Sequence, residues 1–305
     1  MSSVNPIAAA DRLNGLPGLA GFPSVPMLGL DTVWFQVAGS VCNLACSHCF
    51  ISCSPTNHTH AMMDAAMVER HLADSESLGV RDYYFTGGEP FLNPEIIPIL
   101  ASALRRGPVT VLTNGTLISA RRAGELRALA DASRYSLDIR LSLDGFSASA
   151  NDAIRGKGTF DRILDAIGNL AAAGLNPVIT VTEACDEAAG STGRARLLER
   201  LRDLGLDRPR LKVMPLLHLG AEEKRTRAYG EEETLKGVEL SEGQAAALQC
   251  SGSRMVTAGG VYVCPILIDS PDARMGGSLS ETLKPFPLRH RACHTCHAQG
   301  LNCRT

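Results

Sequence analysis

The chain has 305 residues, 45% of them hydrophobic, with a formal net charge of −2. That length and apolar share suit one large α/β domain, or a barrel of about 200 residues with a small appendix. The near-neutral charge offers no basic stripe, and no apolar run reaches the roughly 18 residues of a membrane span, so neither nucleic acid nor membrane is an expected partner.

Residues 1–30 are rich in Gly, Pro and Ala and lack a basic stretch ahead of an apolar one. They read as an N-terminal arm or strap, and a cytoplasmic location is expected. Short runs of β-branched and aromatic residues then predict strands at Thr32–Ala38, Asp82–Gly87, Val109–Asn114, Asp138–Leu143, Pro177–Glu183 and Arg210–Leu216. Helical patterns fall between them. The clearest is Thr159–Ala173, where Phe160, Ile163, Leu164, Ile167, Leu170 and Ala171 follow helical spacing and Gly174 stands where a C-cap belongs. Such alternation predicts an α/β fold with a parallel sheet, a partial (β/α)6 TIM-like barrel over residues 31–219.

Residues 220–249 are polar and charge-dense, and read as a linker or lid. In residues 250–305, Met255–Ala258, Gly259-Gly260 and Val261–Val263 predict a tight hairpin, because Gly-Gly supplies the positive φ of primed turns. Cysteines flank it, so this end is expected to be a small cysteine-rich, metal-stapled β-hairpin module.

Ten cysteines are many for a reducing compartment, where metal binding or catalysis outweighs disulfide formation. Cys42, Cys46, Cys49 and Cys53 crowd one loop, and Cys250, Cys264, Cys293, Cys296 and Cys303 lie near the other end. Three thiolates at CxxxCxxC spacing can bind three irons of a cubane cluster and leave the fourth open to a ligand. A zinc knuckle with Cys53 as fourth ligand is the alternative.

The segment Cys42-Asn43-Leu44-Ala45-Cys46-Ser47-His48-Cys49 resembles the CxxxCxΦC motif of the radical S-adenosylmethionine (SAM) superfamily, with His48 at the aromatic position. Further segments resemble that family in the expected order: Thr86-Gly87-Gly88-Glu89-Pro90, Thr113-Asn114-Gly115, Ser142-Leu143-Asp144-Gly145, and Arg155-Gly156-Lys157-Gly158-Thr159-Phe160. The resemblance implies that SAM chelates the open iron of a [4Fe–4S] cluster held by Cys42, Cys46 and Cys49. Reduction by a flavodoxin- or ferredoxin-type donor then yields a 5′-deoxyadenosyl radical. It also implies that Gly87, Gly88, Glu89, Asn114, Ser142, Asp144, Arg155 and His48 surround SAM. Arg155 would pair with its carboxylate, a role that suits a guanidinium fork. All these segments end strands, where parallel barrels place active sites.

The C-terminal cysteines resemble the twitch module, a shortened relative of the SPASM domain, and imply a second, auxiliary [4Fe–4S] cluster. Cys250, Cys264, Cys293, Cys296 and Cys303 are its candidate ligands, one thiol too many, and the surplus is either Cys250 or Cys303. Structural zinc is one alternative, and the CxxCH run Cys293–His297 formally allows haem attachment.

Glu183 and Cys185 end the fifth strand and His218 follows the sixth, so they are candidate substrate residues, against a plain reading as packing or solvated side chains. Cys53, His58 and His60 read as structural, and Trp34, Met62, Met63 and Met67 as packing. The preferred expectation is radical dehydrogenation of a small polar substrate assisted by the auxiliary cluster. Epimerisation with a cysteine thiol as hydrogen donor and modification of a ribosomally made peptide are the alternatives.

Overall fold

The computed structural model describes residues 20–184 and 193–303. Its frame is a sheet in the order β10-β9-β8-β2-β3-β4-β5-β6-β7. Strands β2 (Thr32–Gln36), β3 (Asp82–Thr86), β4 (Val109–Thr113), β5 (Leu137–Ser142), β6 (Val178–Thr182) and β7 (Arg210–Met214) are all parallel. They are the six expected strands, with most ends trimmed by one or two residues. Every residue of β2 is buried, as in a strand covered on both faces.

Helices α1 (Ala65–Ser77), α2 (Ile96–Ala103), α3 (Ala120–Asp131), α4 (Ala148–Arg155), α5 (Thr159–Ala172) and α6 (Gly193–Asp203) return the chain between these strands. Asp64, Ser119 and Ser147 each cap a helix by accepting an amide hydrogen bond from within its first turn. Helix α5 matches the predicted amphipathic segment, and Gly174 (φ +73°) takes the left-handed step beyond its end. Alternation along each strand divides the core. Val33, Phe35, Tyr83, Phe85, Val109 and Val111 pack outward against the helices. Trp34 and Tyr84 face the barrel interior, where their rings stack at 4.3 Å.

The cysteine-rich end extends this same sheet. Strand β8 (Ser253–Thr257) pairs parallel with β2, and β9 (Gly260–Tyr262) and β10 (Arg274–Gly276) add antiparallel strands beyond it. The hairpin turn differs by one residue from expectation. Thr257 pairs with Gly260, so Ala258 and Gly259 form the loop and Gly260 alone takes positive φ, +129°. Thr257 Oγ1 accepts from the Gly259 amide at 3.1 Å and donates to the Gly260 carbonyl at 3.0 Å, which closes the turn without a primed geometry. Strand β1 (Ser24–Val25) pairs with β11 (Phe286–Pro287), so the described part of the N-terminal arm straps this end of the fold.

Between β7 and β8 lie helices α7 (Gly220–Arg225) and α8 (Glu242–Ala247). The Ala221 amide donates to the Cys49 carbonyl at 2.9 Å, and a Cβ at Gly220 would overlap the Phe50 carbonyl. This segment therefore clamps the cysteine loop. Tyr229 continues the contact by bonding Thr295 of the last helix, α9 (Arg291–Ala298), at 2.8 Å. No described helix is long and apolar enough to cross a membrane.

Candidate active site

The strand ends and the cysteine loop enclose a cavity of about 250 Å³. Among the described residues it is lined by Cys42, Cys46, His48 and Cys49 from the loop, and by Gly87 and Gly88 after β3. Asn114, Ser142 and Arg155 line it from the following elements, and Cys303 from the C-terminal end. Gly88 is required by close approach, because a Cβ there would overlap the Val41 carbonyl. The Gly88 amide donates to the Gly39 carbonyl at 2.8 Å and that of Glu89 to Val41 at 3.0 Å, which fixes the loop over the end of β3.

Two predicted residues stand behind this lining rather than in it. Glu89 is fully buried and accepts from Thr113 Oγ1 (2.7 Å), the Asn114 amide (2.8 Å) and the Phe91 amide (3.1 Å). Burial pushes its carboxyl up to about 7, against the pull of those donors. Asp144 is likewise fully buried, and its Oδ2 meets His48 Nε2 and Arg155 Nη2, both at 2.6 Å. Burial raises its carboxyl, but the Arg155 and His48 charges outweigh this and hold it well below the usual range. Asp144 therefore aims both cavity-lining side chains. The Asn114 side-chain Nδ2 lies 3.6 Å from Cys42 Sγ and donates to Asn43 Oδ1 at 2.9 Å, tying the loop to the end of β4.

Burial pushes the Cys42 thiol up to about 12, with the Glu89 charge adding to it. Cys49 moves down, because the Cys53 thiol donates to it. Cys53, read as structural, thus has a specific partner, and it lines the cavity too. Three thiols on one short loop around open space fit a cluster with one uncommitted iron.

A second, smaller cavity lies beside the first. Cys250, Cys264, Cys293 and Cys296 ring it, among Leu248, Val263, Leu267, Phe286 and Leu288. Burial and the neighbouring sulfurs raise the thiols of Cys293 and Cys296 strongly. Among the described residues no three His, Cys, Asp or Glu side chains converge as for a single metal ion. Four thiols lining one cavity supply the donor set of a [4Fe–4S] cluster. Arg254, 1% exposed, braces this end by donating to the carbonyls of Cys250, Ser253, Thr282 and Lys284 at 2.7–3.1 Å. Ile266 lines both cavities, and Cys303 borders only the larger.

The candidate substrate residues are not assembled here. Glu183 is exposed, and His218 packs edge-on to Tyr229 at 5.4 Å outside the lining. Cys185 lies outside the described residues. The lining instead includes Arg140, Thr180 and Thr182, inward positions on β5 and β6 that strand alternation alone could have flagged.

Residues 37–185 match the family model of the Radical SAM superfamily. The mycofactocin maturase MftC of Mycolicibacterium smegmatis is 30% identical over 252 residues, 74% of this chain and 62% of the maturase. MftC of Mycobacterium tuberculosis is 36% identical over 135 residues, 44% of this chain and 32% of the relative, so the chain spans about a third of that protein. Solved structures with a similar fold include SuiB of Streptococcus suis bound to S-adenosylmethionine, with TM-score 0.58, 17% identity, and coverage of 87% of this chain and 65% of SuiB. Another is anSMEcpe with bound AdoMet, with TM-score 0.59, 18% identity, and coverage of 83% of this chain and 77% of anSMEcpe. With the loop cysteines and strand-end glycines arranged as described, residues 37–185 form a radical SAM domain, and the cysteine-rich C-terminal region is consistent with a SPASM-type radical SAM enzyme.

Proposed function

We propose that this chain modifies a ribosomally made peptide, with Cys42, Cys46 and Cys49 holding the SAM-binding [4Fe–4S] cluster. In the same reading Cys250, Cys264, Cys293 and Cys296 hold an auxiliary cluster. Residues 31–219 are then the catalytic barrel, 220–249 a clamp on the cysteine loop, and 250–305 the auxiliary module. The observation that carries the reading is the shared cavity: loop thiols, strand-end glycines, Arg155 and Cys303 border one space, and among the described residues only Ile266 lines both it and the four-thiol cavity.

When bound, the cluster and SAM supply a carbon-centred radical able to take a hydrogen atom from an unactivated C–H bond. The chain's own residues orient and shield that chemistry. Gly87 and Gly88 let the cysteine loop and the chain before it pack against the end of β3, and Arg155, aimed by Asp144, presents a guanidinium to a carboxylate. Leu44, Phe50, Ile51, Leu217 and Ile266 make much of the remaining wall apolar and limit water.

A peptide substrate draws support from the maturases among the curated relatives and from SuiB, solved with its precursor peptide SuiA. These favour it over the small-molecule dehydrogenation expected from the sequence. For the step itself we favour oxidation, because the four-thiol cavity adjoins the substrate space. A flavodoxin- or ferredoxin-type protein would supply the priming electron. Epimerisation is the second reading, supported by Cys303, whose residue borders the larger cavity.

The test is anaerobic turnover of reconstituted protein with SAM, dithionite and the short peptides encoded beside its gene, in D2O, read by mass spectrometry. Oxidation is a loss of two mass units, and epimerisation is a gain of one deuterium that the Cys303→Ala variant abolishes. Stimulation of 5′-deoxyadenosine release by small polar metabolites and by none of the peptides would overturn the peptide reading.

A further inference from the structure

Resting on the larger cavity as the substrate site, we propose that Arg140 is the substrate's anchor, a guanidinium that binds a carboxylate. Arg140 is 2% exposed and lines the cavity from β5, on the same strand face as Ser142. A buried guanidinium normally meets a carboxylate, since an uncompensated cation is costly to desolvate. Arg140 has no such partner among the described residues. It donates to the Cys303 carbonyl and, at 3.4 Å, to Thr180 Oγ1, both uncharged acceptors.

The acids of its own strand face are committed elsewhere. Asp138, two residues earlier, pairs with Arg210 at 2.5 Å, and Asp144 is held by Arg155 and His48. Lys212, opposite Thr180 on β7, adds positive charge that also acts on Cys303. Burial pulls the Arg140 guanidinium down, with only Cys303 and Tyr84 opposing, so nothing described neutralises it.

A second orphan donor sits in the same cavity. Trp34 Nε1 is buried and has no hydrogen-bond partner among the described residues, though the neighbouring Tyr84 ring fixes its plane. Buried donors without acceptors are rare and costly, so the indole, like the guanidinium, calls for an acceptor supplied by a ligand in this cavity. The carboxylate could be a peptide's C-terminus or an acidic side chain.

The test uses reconstituted, SAM-loaded protein without reductant and three probes: N-acetylglycine, N-acetylaspartic acid α-amide, and the neutral N-acetylglycinamide. Binding is read by saturation-transfer NMR, with iron content as the check on folding. We expect the acids to bind and the neutral amide not to. The preferred acid distinguishes a terminal from a side-chain carboxylate. Arg140→Gln should weaken the acid about tenfold or more, and Arg140→Lys, which keeps charge but loses the fork, should fall between. Equal binding of the neutral amide to the wild type would overturn the anchor, and that comparison does not depend on any variant folding. Unchanged acid binding in a folded Arg140→Gln protein would overturn it too. Failure of SAM cleavage with acid binding intact would instead sink the proposed function and leave the anchor standing.

Discussion

Asp144→Asn isolates the group that organises the cavity. The carboxylate accepts from four donors: the Thr182 amide (2.9 Å) and hydroxyl (2.7 Å) on Oδ1, and His48 Nε2 and Arg155 Nη2 (both 2.6 Å) on Oδ2. Asparagine can keep the Thr182 pair on its oxygen. Its amide nitrogen then confronts His48 and Arg155. His48 can change tautomer, but Arg155 cannot lose its proton. Removing one partner of a buried ion pair costs about 3–5 kcal/mol, and we expect the lower half of that range because Arg155 borders the cavity. The assay is urea unfolding of the reconstituted protein followed by fluorescence of Trp34, the chain's sole tryptophan, which is 1% exposed. The midpoint should fall with the m-value unchanged. The pH dependence has a defined sign. The folded carboxyl is depressed, so its contribution is present above the unfolded value of about 4 and is lost as pH falls through the folded one. The gap between wild type and variant should be flat at neutral pH and narrow in acid. A gap below about 1 kcal/mol, or one that persists unchanged into strong acid, would refute the assignment of Asp144 as an ionised hub.

Cys250→Ala should lose about half of the reconstituted iron, whereas Cys303→Ala should keep nearly all of it, because Cys250 rings the smaller cavity and Cys303 borders the larger. Equal losses in the two variants would place Cys303 among the auxiliary ligands. Gly88→Ala should abolish SAM-dependent activity and detach the cysteine loop, since its Cβ would overlap the Val41 backbone, and intact iron content with normal turnover would contradict this. Arg254→Met should also cost about half the iron, as four carbonyls around Cys250 lose their shared donor, and full iron retention would show the brace to be dispensable.

The barrel strands were legible because their signal is local. Val109–Thr113 and Val178–Thr182 carry β-branched residues that fit a buried parallel sheet. The predicted ends ran long because the next residues leave the sheet to grip the loop, as Asn114 does beside Cys42. Less legible was anything set by distance through space. Nothing near β8 announces that it pairs with β2 rather than forming a separate module. Asp144 and Glu89 carry motif positions that look ligand-facing, yet both carboxylates turn inward to satisfy backbone and side-chain donors. Arg140 was hidden for a simpler reason: it belongs to no motif, and only strand alternation marks it as inward.

The placement of Cys303 shows how a local signal acts through space once the fold is known. Cys293 and Cys296 are three residues apart on α9, so they share one helical face toward the four-thiol cavity. If the helix simply continued, Cys303 would come round near that face again, ten residues or nearly three turns after Cys293. It does not continue. Gly300 takes φ +59°, and the Leu301 amide reaches back to the Cys296 carbonyl at 3.0 Å, a Schellman closure that ends the helix. The chain leaves the axis there and carries Cys303 to the barrel side, where its carbonyl accepts from Arg140. Gly300 was visible in the sequence, but its consequence depended on knowing which way the helix pointed. One left-handed residue thus accounts for Cys303 bordering the larger cavity while its sulfur still acts on Cys296 and Cys264.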